Sequence, residues 1–186
     1  KGVPLILKHE YTGNWGRVVL KPLEEPHIEA IRILRNQHRK SFVYSGEISA
    51  EEQKVWYGNY LKTPNDYMFS VYRADTGAWV GSNGIYKVDP MQQTAEFGRL
   101  LIERQADGVR GLGADTTICA CMIACSCLRV ERVTLEVYEN NLPAIKTYLR
   151  AGFHPIGEFM ASAGGKMTRM EYKSKDGEKL CLQFKC

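Results

Sequence analysis

Apolar residues recur every three or four positions in the first third of the chain, then every second position in the middle. In "EPHIEAIRILRNQ" (25–37), Ile28, Ile31 and Leu34 share one helical face, and Pro26 is tolerated in a first turn. Ser49 and Glu52 form a capping box at the start of "SAEEQKVWYGNYL", which predicts a second helix over 50–61. Its apolar residues Val55, Trp56 and Tyr60 lie on adjacent faces.

Then the period changes. "DYMFSVYRADTGAWVGSNGIYKVD" (66–89) alternates around an Asp-Thr-Gly turn at 75–77, the pattern of a hairpin. "TAEFGRLLIE" (94–103) continues the meander as another strand. Residues 114–128 hold neither Pro nor Gly and are too long for a strand, so they predict a buried helix. "RVTLEVY" (132–138) is a strand, and "NLPAIKTYLRAGF" is a helix opening near Pro143 and closing at Gly152. "HPIGEFM", "KMTRMEYK" and "KLCLQFK" close the chain as strands.

With "RVVLKPL" as a first strand ended by Pro22, the order is β-α-α-β-β-β-α-β-α-β-β. Hairpins followed by strand–helix–strand crossovers predict a mixed α/β (α+β) sheet with helices on both faces. We read residues 1–16 as an N-terminal extension and 17–186 as one domain, in keeping with the chain length.

Charge changes this picture little. The net charge is +4, and no basic run exceeds "HRK" at 38–40, which argues against a nucleic-acid surface. No apolar stretch is continuous enough for a membrane span. Four of the six cysteines, at 119, 121, 125 and 127, fall within nine residues without a CxxC or a histidine at ligand spacing. They predict small apolar packing residues, with no metal site, and reduced thiols in a cytoplasmic protein.

Candidate chemistry enters at "GVRGLGAD" (108–115), between the fourth predicted strand and the helix after it. Unpaired N–H groups in a glycine turn and a first helical turn, aided by the helix dipole, make an anion site. Glycine matters because a Cβ would keep phosphate oxygens off those amides. A Walker loop is excluded, since Ala114-Asp115 stands where Lys-Ser/Thr would be; the dinucleotide fingerprint fails because Thr116 occupies its third glycine position.

A second motif follows one strand later. Asn141, Ala144, Tyr148, Gly152 and Phe153 match each fixed position of N-x-x-A-x-x-x-Y-x-x-x-G-F. With Gly111 and Gly113, which fit a loop of Gln or Arg, two free positions, Gly, one free position, then Gly or Ala, the chain resembles the GNAT superfamily of N-acetyltransferases over residues 17–173. Gly108 departs from the Gln or Arg at the loop's first position, and Arg110 is the nearby cation.

The resemblance implies a mostly antiparallel sheet splayed between the fourth and fifth strands, with acetyl-CoA as cofactor. Amides of Arg110, Gly111, Leu112, Gly113 and Ala114 would hold its pyrophosphate, and the strand edge at Leu101 and Ile102 its pantetheine arm. Asn141 would touch the pantetheine and also cap its own helix. Tyr148 would protonate the leaving thiolate while a strand-end N–H stabilises the developing oxyanion. The attacking amine must lose a proton, and Glu96 is the first choice of base, with Glu136 in reserve; Glu96 could instead pair with Arg99. An acyl-cysteine route is disfavoured.

The acceptor would meet the loop "NQHRKSFVYSGEIS", with His38, Arg39, Lys40, Phe42 and Tyr44, and Arg99 on the facing strand. Cations beside aromatics suit a phosphate-bearing acceptor, and this segment resembles GNAT enzymes that acetylate nucleotide-linked amino sugars. The readings are thus an N-acetyltransferase for a small-molecule amine, a protein N-terminal or lysine acetyltransferase, and a non-catalytic acyl-CoA-binding module. The enzyme would be a monomer or homodimer.

Overall fold

The computed structural model describes residues 2, 7–104, 108–174 and 184–186, and its described strands form one open sheet. Along the chain run β1 (Thr12–Trp15), β2 (Val18–Pro22), α1 (Ile28–Gln37), α2 (Ala50–Lys62), β3 (Tyr67–Arg73), β4 (Trp79–Asp89) and β5 (Thr94–Ile102). Then come α3 (Leu112–Cys127), β6 (Arg132–Tyr138), α4 (Leu142–Arg150), β7 (His154–Met160), β8 (Lys166–Lys173) and β9 (Phe184–Lys185). The spatial order is β7-β8-β6-β5-β4-β3-β2-β1-β9, and only β5 and β6 pair in parallel.

Two features differ from the sequence reading. The segment read as an extension contributes β1, which pairs with β2 through a turn at Gly16. "TGNW" carries no apolar alternation; Gly13 is there because a Cβ would collide with the Phe184 ring of β9. Second, the thiols are not all reduced: Cys127, the last residue of α3, forms a disulfide with Cys186, which the β1–β9 pairing brings to the helix end. Cys119 and Cys121 are buried and Cys125 is half-buried, and Cys181 lies outside the described residues with most of "KLCLQFK".

The helices form as the side chains dictate. Ser49 accepts from the Glu52 N–H while Glu52 accepts from the Ser49 N–H, closing the capping box of α2. That helix buries Tyr57 and Tyr60, whereas Val55 is exposed. Helix α4 starts on an Asn141 cap and stops at Gly152, whose φ of +97° ends the helix as a left-handed residue.

Burial divides the sheet into two faces. Phe69, Ile85, Phe97 and Val133 pack beneath α3 and α4. Met68 and Leu101 face the other way, against Ile31, Leu34, Tyr57 and Tyr60 of α1 and α2. Alternation within β3, where neighbours Met68 and Phe69 fall in different clusters, sets this division.

The sheet opens at one point. β5 pairs with β6 only from Thr94↔Arg132 to Glu96↔Thr134, although β5 continues to Ile102 and β6 to Tyr138. Opposite that opening, two β5 residues, Arg99 and Leu100, face the single β4 residue Asn83 in a bulge, and Arg99 takes a φ of +55°.

Candidate active site

The splay creates a cleft of about 900 Å³, walled by β5, β6 and α4 and reaching the loop between α1 and α2. Glu96, Arg99, Leu101, Ile102, Gly113, Asn141 and Tyr148 all line it, as do Glu136, His38 and Tyr44. The structure therefore gathers most of the sequence-predicted residues around one space.

At the start of α3, Gly111 caps the helix in a left-handed conformation (φ +84°), where a side chain is strained. The N–H groups of Leu112, Gly113 and Ala114 form the helix's first turn and lack partners within it. Leu112 buries its side chain in the core and, like Arg110, Gly111 and Ala114, does not line the cleft, whereas Gly113 does. Gly113 lies beside α4, and a Cβ there would make an ordinary contact with Thr147 Cγ2, at 3.4 Å. Arg110 is exposed, and its carbonyl accepts a hydrogen bond from Arg17 Nη1.

Along β5 one edge is taken by β4, through Gly81↔Ile102 and Ser82↔Leu101. The other edge is released from β6 after Glu96. A released strand edge offers N–H and C=O groups to an extended, amide-containing arm. Asn141 lines the cleft while its Oδ1 accepts from the Ala144 N–H at 3.3 Å.

Tyr148 projects from α4 between Phe97 and Phe153, with ring centroids 6.1 and 6.2 Å away. Burial, with the Tyr86 phenol adding to it, pushes its pKa up to about 12. The hydroxyl thus stays protonated, as a proton donor requires. Across the cleft, Glu96 forms an ion pair with Lys87 at 3.1 Å, and Glu136 one with Arg169 at 2.8 Å.

Arg99 does not pair with Glu96. Its guanidinium takes both Asp66 oxygens, at 2.8 and 3.0 Å, and lies 4.3 Å from the Tyr86 ring centre. Tyr86 sits close over Gly98, where any Cβ would strike its hydroxyl, and burial raises its pKa to about 12. In the α1–α2 loop, Arg39 pairs with Glu47 at 3.6 Å and does not line the cleft.

Sequence reasoning passed over several lining residues. Arg35 donates to the Gly46 and Tyr44 carbonyls and sits over the Phe42 and Tyr44 rings. Ser82 lines the cleft fully buried, and its hydroxyl has no hydrogen-bond partner among the described residues. Trp56 was read only as a helix-face residue. Alternation within β4 places Ser82 and Tyr86 on one face, the single signal that could have found them.

Residues 17–154 match the family "Acetyltransferase (GNAT) domain", and the chain belongs to that family. It is an acyltransferase. Among solved structures it is similar to a spermidine N-acetyltransferase from Vibrio cholerae in complex with CoA and spermine. There the TM-score is 0.73 at 20% identity, covering 84% of this chain and 95% of that one. It is similar too to FdhC, a nucleotide-linked sugar GNAT, with a TM-score of 0.72 at 18% identity over 89% of this chain and 91% of that one. A GCN5-related N-acetyltransferase from Brucella melitensis gives 0.71 at 16% identity, covering 93% and 83%. No curated protein matches the sequence. Among the described residues, no helix is long and apolar enough to cross a membrane, and no cluster of three or more His, Cys, Asp or Glu is placed to hold a metal ion.

Proposed function

We propose that the chain transfers the acetyl group of acetyl-CoA to a primary amine of a small molecule, by direct attack within a ternary complex. The observation that carries this is the splay itself: Tyr148 and Glu96 line one cleft at the point where β5 leaves β6. The residues present fit the cosubstrate. Free first-turn amides of α3 suit a pyrophosphate, Gly113 keeps that wall bare, and the β5 edge suits the pantetheine amides.

When bound, acetyl-CoA supplies the reactive thioester. Glu96 accepts the proton of the attacking amine, directly or through water, with Glu136 as the second candidate. An N–H on the β5 edge stabilises charge on the carbonyl oxygen. Tyr148 delivers a proton to the departing sulfur, and the phenyl rings around it exclude water.

For the acceptor, the aromatic rings of Phe42, Tyr44 and Trp56 offer stacking surfaces, and we propose a nucleotide-linked amino sugar. A polyamine is the second reading, favoured by three carboxylates on the cleft, Glu52, Glu96 and Glu136. Nearby cations bear on this choice, because Arg35 of α1 is engaged by the Gly46 and Tyr44 carbonyls and Arg39 of the loop by Glu47. A cytoplasmic location, as monomer or homodimer, belongs to the same proposal.

The test is an acceptor panel of amino-sugar nucleotides, polyamines and peptides, read by thiol release from acetyl-CoA. Turnover highest with an amino-sugar nucleotide supports the first reading. Turnover highest with a polyamine replaces it with the second, and preferred acetylation of peptides overturns both.

A further inference from the structure

The turn between β1 and β2 is locked to the mouth of the cofactor loop. Both the backbone N–H and the Nε of Arg17 donate to Asp115 Oδ2, at 3.1 and 2.9 Å. Nη1 of the same guanidinium donates to the Arg110 carbonyl. Two left-handed glycines make room. A Cβ on Gly16 would stand 2.6 Å from Asp115 Oδ2, and one on Gly111 would stand 2.6 Å from Arg17 Nη2.

Asp115 is the part that needs explaining. It places a carboxylate, its side chain only 13% exposed, in the first turn of α3, beside amides that are to receive a pyrophosphate. Negative charge there stabilises a helix alone but repels a second anion. The chain also lacks a long polar side chain at the first loop position, where Gly108 stands.

We propose that Arg17 is a positioning residue for acetyl-CoA: it cancels the Asp115 charge and holds the Arg110 carbonyl turned away, so that the loop amides face the pyrophosphate. In a trans peptide the Gly111 N–H points away from the Arg110 carbonyl, so a carbonyl fixed on the side of Arg17 turns that N–H to the opposite side of the loop, next to the first-turn amides of α3. The guanidinium suits this task because its rigid planar fork presents Nε to the carboxylate and Nη1 to the carbonyl in fixed directions, which the flexible ammonium of lysine does not preset. This inference rests on the proposed cofactor site.

The test is steady-state kinetics of Arg17→Met, Arg17→Lys and the double variant Arg17→Met/Asp115→Asn with acetyl-CoA. The backbone N–H of residue 17 still anchors the turn in each. Arg17→Met is expected to raise KM for acetyl-CoA about tenfold with kcat within about twofold of the parent. The double variant, free of the uncompensated carboxylate, is expected to recover most of that loss. Arg17→Lys, which keeps the charge and loses the fork, is expected to raise KM about threefold and carries the test if Arg17→Met does not fold. An unchanged KM in the soluble variants, a fall in kcat with KM unmoved, or a double variant worse than the single one overturns the proposal. A parent enzyme that never saturates with acetyl-CoA overturns the cofactor reading instead.

Discussion

Tyr148 on α4 meets Phe97 on β5 edge to face, with ring centroids 6.1 Å apart and planes at 79°. Phe97 is the first β5 residue past the last rung shared with β6, so the contact pins α4 over the point where the strands part. Tyr148→Phe keeps that ring contact and removes only the hydroxyl. We expect kcat to fall roughly ten- to a thousand-fold while CoA binds with unchanged affinity in calorimetry. Turnover equal to the parent would remove Tyr148 from the mechanism. Because its pKa is pushed up to about 12, its ionisation produces no alkaline fall in kcat below about pH 10.

Glu96 and Glu136 face one cleft, each with one basic partner. Glu96→Gln keeps the shape and removes the base, so kcat/KM for the amine is expected to drop about a hundred-fold. Glu136→Gln is expected to change the same quantity less than about fivefold. The reverse ranking assigns the base to Glu136.

Gly98 is a steric requirement. A Cβ at this position would strike the Tyr86 hydroxyl and stand 3.1 Å from its Cζ, while Arg99 holds that ring from another side. Gly98→Ala is expected to cost about 1–3 kcal/mol in urea unfolding and to lower kcat/KM for the amine about tenfold. A variant with unchanged stability and kinetics would show that Tyr86 moves aside freely.

His9 gives a stability signature separate from catalysis. Its Nδ1 accepts from the Tyr11 N–H and its Nε2 lies 2.9 Å from the Met68 carbonyl, so the folded ring is neutral with the proton on Nε2. Burial lowers its pKa from 6.5 to about 4. Between those values the unfolded chain holds a proton that the folded chain does not. The contribution is therefore complete above pH 6.5 and is lost as pH falls toward 4, by about 3 kcal/mol. Urea unfolding at pH 7.5 and 4.5 should show a smaller pH difference in His9→Gln than in the parent; equal differences would contradict this.

Local signals carried most of the fold. The Ser49–Glu52 box, the turn at Gly77 and the Asn141 and Gly152 helix ends depend on neighbours within a few residues, so the sequence displays them. What escaped depends on partners far along the chain. β1 needs Phe184 above Gly13, the Cys127–Cys186 link spans 59 residues, and Arg17 reaches a loop 93 residues away. Arg99 turned to Asp66 because the bulge gives it a left-handed backbone, which strand alternation does not foretell. Gly113, Asn141 and Tyr148 could be placed beside one cleft because their positions follow from backbone and spacing. The side chains around the α1–α2 loop could not, since Arg35 of α1 closes on the Gly46 and Tyr44 carbonyls and Arg39 on Glu47.

Acetyl transfer through a ternary complex is tested most directly by one rate measurement: thiol release from acetyl-CoA with and without a primary amine, varied in both substrates. Such an enzyme releases thiol only when amine is present, saturates in both substrates, and gives reciprocal plots that intersect. Release at the same rate without amine, or none with any amine tested, would contradict it.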